Sequence, residues 1–424
     1  MVNKLKNIFL IFLTFNLNSN DYPVEGKTVE ANQSMVVTRH YLASRVGNEI
    51  LMKGGNAVDA SIAISFALSV VLPQASPIGG GGFMIIHDAK SGNNYALDYR
   101  EMAPSAATVD MFIVDGKVDR QLALESYLSS GTPGTVHGLY EAHQRFGSLP
   151  WKELVKPSID LAEKGFIVTN TLAKSLDKET NRRKLSKTSD GKEIFFRDNE
   201  PLKEGMMLFQ KDLAKTLTLI SNFGSDGFYK GTVAQKIHSD MKKNNGLITL
   251  TDLNNYEAKF REPIEFIYKD IKIVTMPPPS SGGLLLALMF NMLENINLDK
   301  SNPHTAKNIL KISEIMQIAY SLRSVHLADP DFYPVPKDAF LNKDIAKELL
   351  LNIDDIKTST SEDFNPENLK IKENTTHYSV VDKYGNAVST TTTLNTAYGS
   401  GIVIKDTGLL MNNEMDDFSA APNQ

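Results

Sequence analysis

Near its end the chain gives up helical spacing for a run that reads as β structure. Thr376 to Val381 alternates, Asp382-Lys383-Tyr384-Gly385-Asn386 has turn composition, Ala387 to Leu394 is a threonine-rich strand, and Gly408 to Asn412 reads as a third strand. Three strands cannot bury both faces by themselves. They must pair with strands formed earlier or with sequence beyond Gln424. The earlier candidates are Met35-Val36-Val37, Phe83 to Ile86 and Tyr95 to Asp98, the last two joined by the turn Lys90-Ser91-Gly92-Asn93. Pairing with the earlier strands would mean closure over some three hundred residues of intervening chain.

Most of the intervening chain reads as helix. Tyr41 to Lys53 has helical spacing and stops at Gly54-Gly55. Asn56 is placed to cap a second helix, Ala57 to Leu72, which is apolar nearly all round and so must be buried. Pro73 and Pro77 end it, and Gly79 to Gly82 follow, a run read as a tight turn where two backbones approach closely. Residues 120–350 are mostly helical in pattern, with loops at Gly131-Thr132-Pro133-Gly134 and Met276 to Gly283. The polar stretch Asp354 to Asn374 reads as a mobile linker, and no solenoid repeat is present.

Composition removes several functions. With 424 residues and a formal net charge of -5, the chain offers no electrostatic support for a nucleic-acid or anionic-membrane partner. It has 0 cysteines, which excludes disulfides, Cys-ligated metal and a thiol nucleophile. Lys4 and Lys6 precede the apolar run Ile8 to Phe15, the pattern of a secretory signal peptide or, alternatively, of a tethered start. The expected location is periplasmic or secreted, with no membrane insertion after processing. No H-E-x-x-H, G-x-S-x-G or phosphate-loop motif occurs, and neither a metal nor an organic cofactor is expected.

The informative place is the junction Glu373-Asn374-Thr375-Thr376-His377-Tyr378. Were the Asn374–Thr375 bond cut, Thr375 would lead a strand with a free α-amine. Such a residue carries nucleophile and base together, since the amine titrates at about 7.7–8.0. The same hydroxyl could open the chain by attacking the Asn374 carbonyl. On spacing alone, Thr375-Thr376 is equally a pair of β-formers.

An ordered series of segments resembles the γ-glutamyltransferase (glutathione hydrolase) family of N-terminal-nucleophile hydrolases. The series comprises Gly54 to Ala60, Gly79 to Phe83, Asp98-Tyr99-Arg100-Glu101-Met102-Ala103-Pro104, Thr132 to Val136, Pro278 to Gly283, Leu327 to Asp331, Thr375 to Val381, Thr393-Leu394-Asn395 and Asn412 to Ser419. The resemblance implies an α+β fold, a four-layer αββα sandwich. It implies a signal peptide over roughly 1–20, a large subunit over 21–374 and a small subunit starting at 375, both cut from one precursor. Thr375 would be the self-cleavage residue and the nucleophile, with Thr393 orienting it. Arg100 would hold the α-carboxylate of a γ-glutamyl donor such as glutathione, because its planar fork suits a carboxylate. Asn395, Glu414 and Asp417 would receive the donor's α-ammonium. The γ-glutamyl ester would then pass to water, an amino acid or a dipeptide.

The family pattern continues past Gln424, where its serine pair and oxyanion-hole glycines lie, so this chain as it stands is expected to be inactive or poorly folded. The alternatives are an acylase of the glutaryl-cephalosporin or poly-γ-glutamate type, or an unprocessed scaffold.

Overall fold

The computed structural model describes residues 29–299, 301–352 and 373–418. The expected signal peptide and linker fall almost wholly outside them. Six strands form one antiparallel sheet: β1 (Met35–Val37), β2 (Gly81–Asp88), β3 (Asn93–Tyr99), β4 (Lys259–Arg261), β5 (Glu373–Val381) and β6 (Ala387–Thr396). Their order is β1-β5-β6-β2-β3-β4. The late hairpin β5–β6 is thus inserted between β1 and β2, which closes the long loop the sequence requires. Register is continuous across the insertion, with Val36 opposite Val380 on one side and Thr393 opposite Gly81 on the other.

One face of the sheet is covered by helices. Those packed directly on its strands are α1 (Tyr41–Met52), α2 (Ala57–Val71) and α3 (Thr135–Phe146). Behind them α4 (Trp151–Lys164) packs on α2, the short α5 (Glu179–Leu185) follows later in the chain, and α6 (Lys211–Phe223) packs on α4. All residues of α2 are buried, as an apolar helix without a polar stripe must be. It starts with a capping box, Asn56 accepting from the Val58 and Asp59 N–H groups while Asp59 accepts from Asn56 N–H. It lies under β5 and β6, where the Tyr378 hydroxyl donates to Ser61 O at 2.9 Å. The turn after β5 is fastened to the same helix, because Asp382 accepts from Ala57 N–H at 2.9 Å. Along β5 the even-numbered residues Thr376, Tyr378 and Val380 face the helices, whereas Thr375 and His377 are exposed on the other face.

The fold is α+β. Its described residues supply a helix layer and one large sheet of the four implied layers. The stretch 120–350 is mostly helical, as its pattern indicates, with additions, and two expectations about the late strands need correcting. Among those helices, Lys259–Arg261 adds the edge strand β4 and Ile264–Tyr268 pairs with Ile271–Thr275 as a hairpin. The apolar alternation was there to read, but the turn depends on Lys269 at φ 54, an unmarked residue in a left-handed conformation. The third late strand shrinks to Leu409–Leu410, paired with Val403–Ile404 outside the main sheet. Finally, β5 starts at Glu373 rather than Thr376, because Glu373 pairs with Thr396 across a bulge.

Candidate active site

Thr375 and Thr393 are directly opposite on β5 and β6, and their hydroxyl oxygens lie 3.1 Å apart. Thr393 Oγ1 also accepts from Asn395 N–H at 2.9 Å, which fixes its rotamer and leaves its proton free for Thr375. Thr375 is exposed and Thr393 buried, so the pair offers one accessible oxygen backed by a fixed one. The backbone of Asn374 is part of β5.

The glycine run lies on the other side of β6. A Cβ on Gly80 would come within 2.0 Å of Thr393 O, and one on Gly81 within 2.5 Å of a Glu101 carboxyl oxygen. Only glycine lets the β2 backbone come this close to the threonine and to the following acid.

Arg100 leaves the end of β3. Its N–H donates to Asp98 at 3.0 Å and its carbonyl accepts from the Tyr256 hydroxyl at 2.8 Å. Asp98 is itself held by Arg261 Nε at 2.7 Å, and Arg261 forks onto Asp331 at 3.0 and 2.8 Å. The Leu327 to Asp331 segment thus reaches Arg100 through two ion pairs. The Arg100 guanidinium contacts Glu414 and Asp417, which lie on the 3₁₀ turn Glu414–Asp417. Burial works against its charge, but Glu414, Glu101, Asp417 and Asp98 outweigh that and raise its pKa above the usual value. Burial raises Glu414 well above the ordinary carboxylate range, and nearby Glu101 adds to it. Asn395 sits at φ 73, and its Nδ2 donates to Asn413 O at 3.0 Å.

The structure therefore pairs Thr375 with Thr393, gathers Arg100, Glu414 and Asp417 into one cluster, and ties Asn395 to both Thr393 and the Asn412–Asn413 loop. Glu101 stands beside Arg100 in the chain, and sequence reasoning assigns it no role. It is a buried carboxyl beside the Gly81 backbone, and burial raises it to about 7 despite Arg100. Its signal was its place next to Arg100 in the quoted segment. Asn413 braces Thr396 and Asn395, a role that nothing in its local sequence marks.

A hydroxyl residue on a central strand of an antiparallel sheet, backed by a second hydroxyl across the ladder and by a helix layer, is the arrangement of the N-terminal-nucleophile hydrolases. The family model described as Gamma-glutamyltranspeptidase matches residues 43–424. "Glutathione hydrolase proenzyme" of Escherichia coli (strain K12) is 47% identical over 397 residues, covering 93% of this chain and 68% of that protein. Among solved structures, Helicobacter pylori gamma-glutamyltranspeptidase superposes with a TM-score of 0.77 at 41% identity, over 82% of this chain and 99% of that one. A cephalosporin acylase from Bacillus halodurans superposes with a TM-score of 0.84 at 27% identity, over 97% of this chain and 75% of that one. The chain belongs to the gamma-glutamyltranspeptidase family.

Proposed function

We propose that this protein cleaves the γ-glutamyl amide bond of glutathione and related compounds through an ester on Thr375. The Thr375–Thr393 hydroxyl pair at 3.1 Å carries the reading. After cleavage of the Asn374–Thr375 bond, the Thr375 amine takes the hydroxyl proton as the oxygen attacks the γ-carbonyl. The amine then returns a proton to the departing cysteinylglycine nitrogen. Water or an amino-acid acceptor, deprotonated by the same amine, attacks the ester and frees the enzyme. The large and small subunits of one precursor both contribute to the sheet and stay together. No helix among the described residues is long and apolar enough to cross a membrane. The basic start with its short apolar run supports export to the periplasm or medium.

Arg100 binds the donor's α-carboxylate, which competes with Glu414 and Asp417 for the guanidinium. Once displaced, those two acids and Asn395 are free to accept from the α-ammonium. A zwitterionic head group is thus exchanged for an internal ion pair, and a donor with only one of the two charges would leave a partner uncompensated. This favours γ-glutamyl compounds over the glutaryl amides that the acylase likeness brings to mind.

Mass spectrometry of the complete gene product tests the first step, with a new N-terminus at Thr375 expected and its absence in Thr375→Ala. Kinetics on glutathione and a glutaryl amide, side by side, test the second. An active protein still joined at Asn374–Thr375 refutes the mechanism, and equal preference for the two substrates refutes the head-group assignment.

A further inference from the structure

We propose that Lys184 is a positioning residue whose buried ammonium anchors the turn after β6 and thereby fixes Asn395 and the Thr393–Thr375 hydroxyl pair. Lys184 lies on α5 and is 8% exposed. Its Nζ donates to Thr396 Oγ1 at 3.1 Å and to Gly399 O at 2.9 Å. The turn is packed on the lysine stem, since a Cβ on Gly401 would stand 2.6 Å from Lys184 Cβ. Thr396 Oγ1 is then fully used. It accepts from Lys184 and from Asn413 Nδ2, and it donates to Gly399 O or Asn413 Oδ1. Asn413 carries the constraint onward, as its N–H donates to Leu394 O and its carbonyl accepts from Asn395 Nδ2. Asn395 N–H closes on Thr393 Oγ1, which faces Thr375. Every link is a hydrogen bond, and the chain begins on the segment before residue 374 and ends on the proposed nucleophile.

A lysine is a costly choice for this place. No carboxylate among the described residues pairs with its Nζ, and burial lowers it to about 8. The charges facing it are already engaged: Glu125 with Arg183 and Lys187, and Asp416 with Arg120. Glu125 and Asp416 favour the ammonium, whereas Lys187 and Arg183 oppose it. What the charge gains is two charge-assisted bonds onto a turn that holds Asn395 and Tyr398 at positive φ, conformations that need holding. Above about pH 8 the bonds lose that assistance and the turn loosens.

The inference takes its kinetic readout from the γ-glutamyl reading above. The experiment uses Lys184→Met, Thr396→Val and Thr396→Ser in the complete gene product, with γ-glutamyl-p-nitroanilide as donor. Losing the anchor is expected to raise KM about 5- to 20-fold with kcat within about three-fold, Thr396→Ser retaining wild-type KM. Loss of the donor's α-ammonium raises KM above pH 8 in both proteins, and the climb should be steeper in wild type than in Lys184→Met. Hydrogen exchange of the 395–401 amides, which needs no turnover, should quicken in Lys184→Met while α2 keeps its protection. Unchanged KM with unchanged exchange overturns the proposal, as does an even loss of protection over the whole chain. A wild type without γ-glutamyl turnover sinks the functional reading, while the exchange result still decides the role of Lys184.

Discussion

At the scale of single residues, the site is built from short polar side chains with few alternatives open to them. Thr393 has its oxygen shared between Asn395 N–H and Thr375, so its removal is felt by both. Thr393→Val keeps the shape and is expected to lower kcat about 10- to 100-fold with KM nearly unchanged. Steady-state kinetics on a γ-glutamyl anilide checks this, and a kcat within two-fold of wild type would remove Thr393 from the machinery. Gly80→Ala would drive a methyl group into Thr393 O and should cost about 2–4 kcal/mol in urea unfolding, with loss of activity. The threonines and Arg100 could be singled out from sequence through their motif. Glu101 and Lys184 could not be given a role, because charge on a single residue says nothing of burial, and burial is what makes both unusual.

At the scale of elements, the hairpin β5–β6 depends on α2 as much as on its neighbouring strands. Asp382 accepts from Ala57, Tyr384 and Asn386 backbone N–H groups and from Asn386 Nδ2, so it fastens the turn and the start of α2 together. Asp382→Ala should therefore cost about 2–3 kcal/mol, more than one neutral hydrogen bond, since it leaves one buried and three half-buried donors unmatched. Chemical denaturation of the processed protein would show it, and a loss below about 0.5 kcal/mol would mean that water replaces the carboxylate. Strands and helices with strong periodicity were legible in the sequence, among them α1, α2 and the β2–β3 hairpin, and β1 showed as a bare apolar run. Edge strand β4 was not, because three residues carry no period and owe their conformation to the β3 edge they join.

At the scale of the whole molecule, two buried groups tilt stability in opposite directions. Burial raises Glu101 to about 7 from an ordinary 4.5, so the folded state holds that proton more firmly. Its contribution is complete below about pH 4.5 and is lost as pH rises through about 7. Burial lowers His40 to about 4 from 6.5, so its contribution is complete above 6.5 and is lost as pH falls toward 4. Glu101→Gln removes only the first of these. The stability of wild type relative to this variant should fall between pH 4.5 and 7, read from urea midpoints, and a pH-independent difference would show that Glu101 does not titrate there.

The sequence by itself determined the kinds of element, the burial of α2 and the ordered motifs that point to Thr375, because apolar periodicity and local residue order are written along the chain. It also required that the late β segment find partners elsewhere. Tertiary structure alone decided which partners: β5 and β6 enter between β1 and β2, which sets Gly81 opposite Thr393, and Arg100 comes against Glu414 and Asp417, whereas Thr393 faces Thr375 through the register of their own hairpin. Contacts between residues some three hundred positions apart depend on how faces stack and loops close. No local pattern encodes them, and the site exists only where those contacts meet.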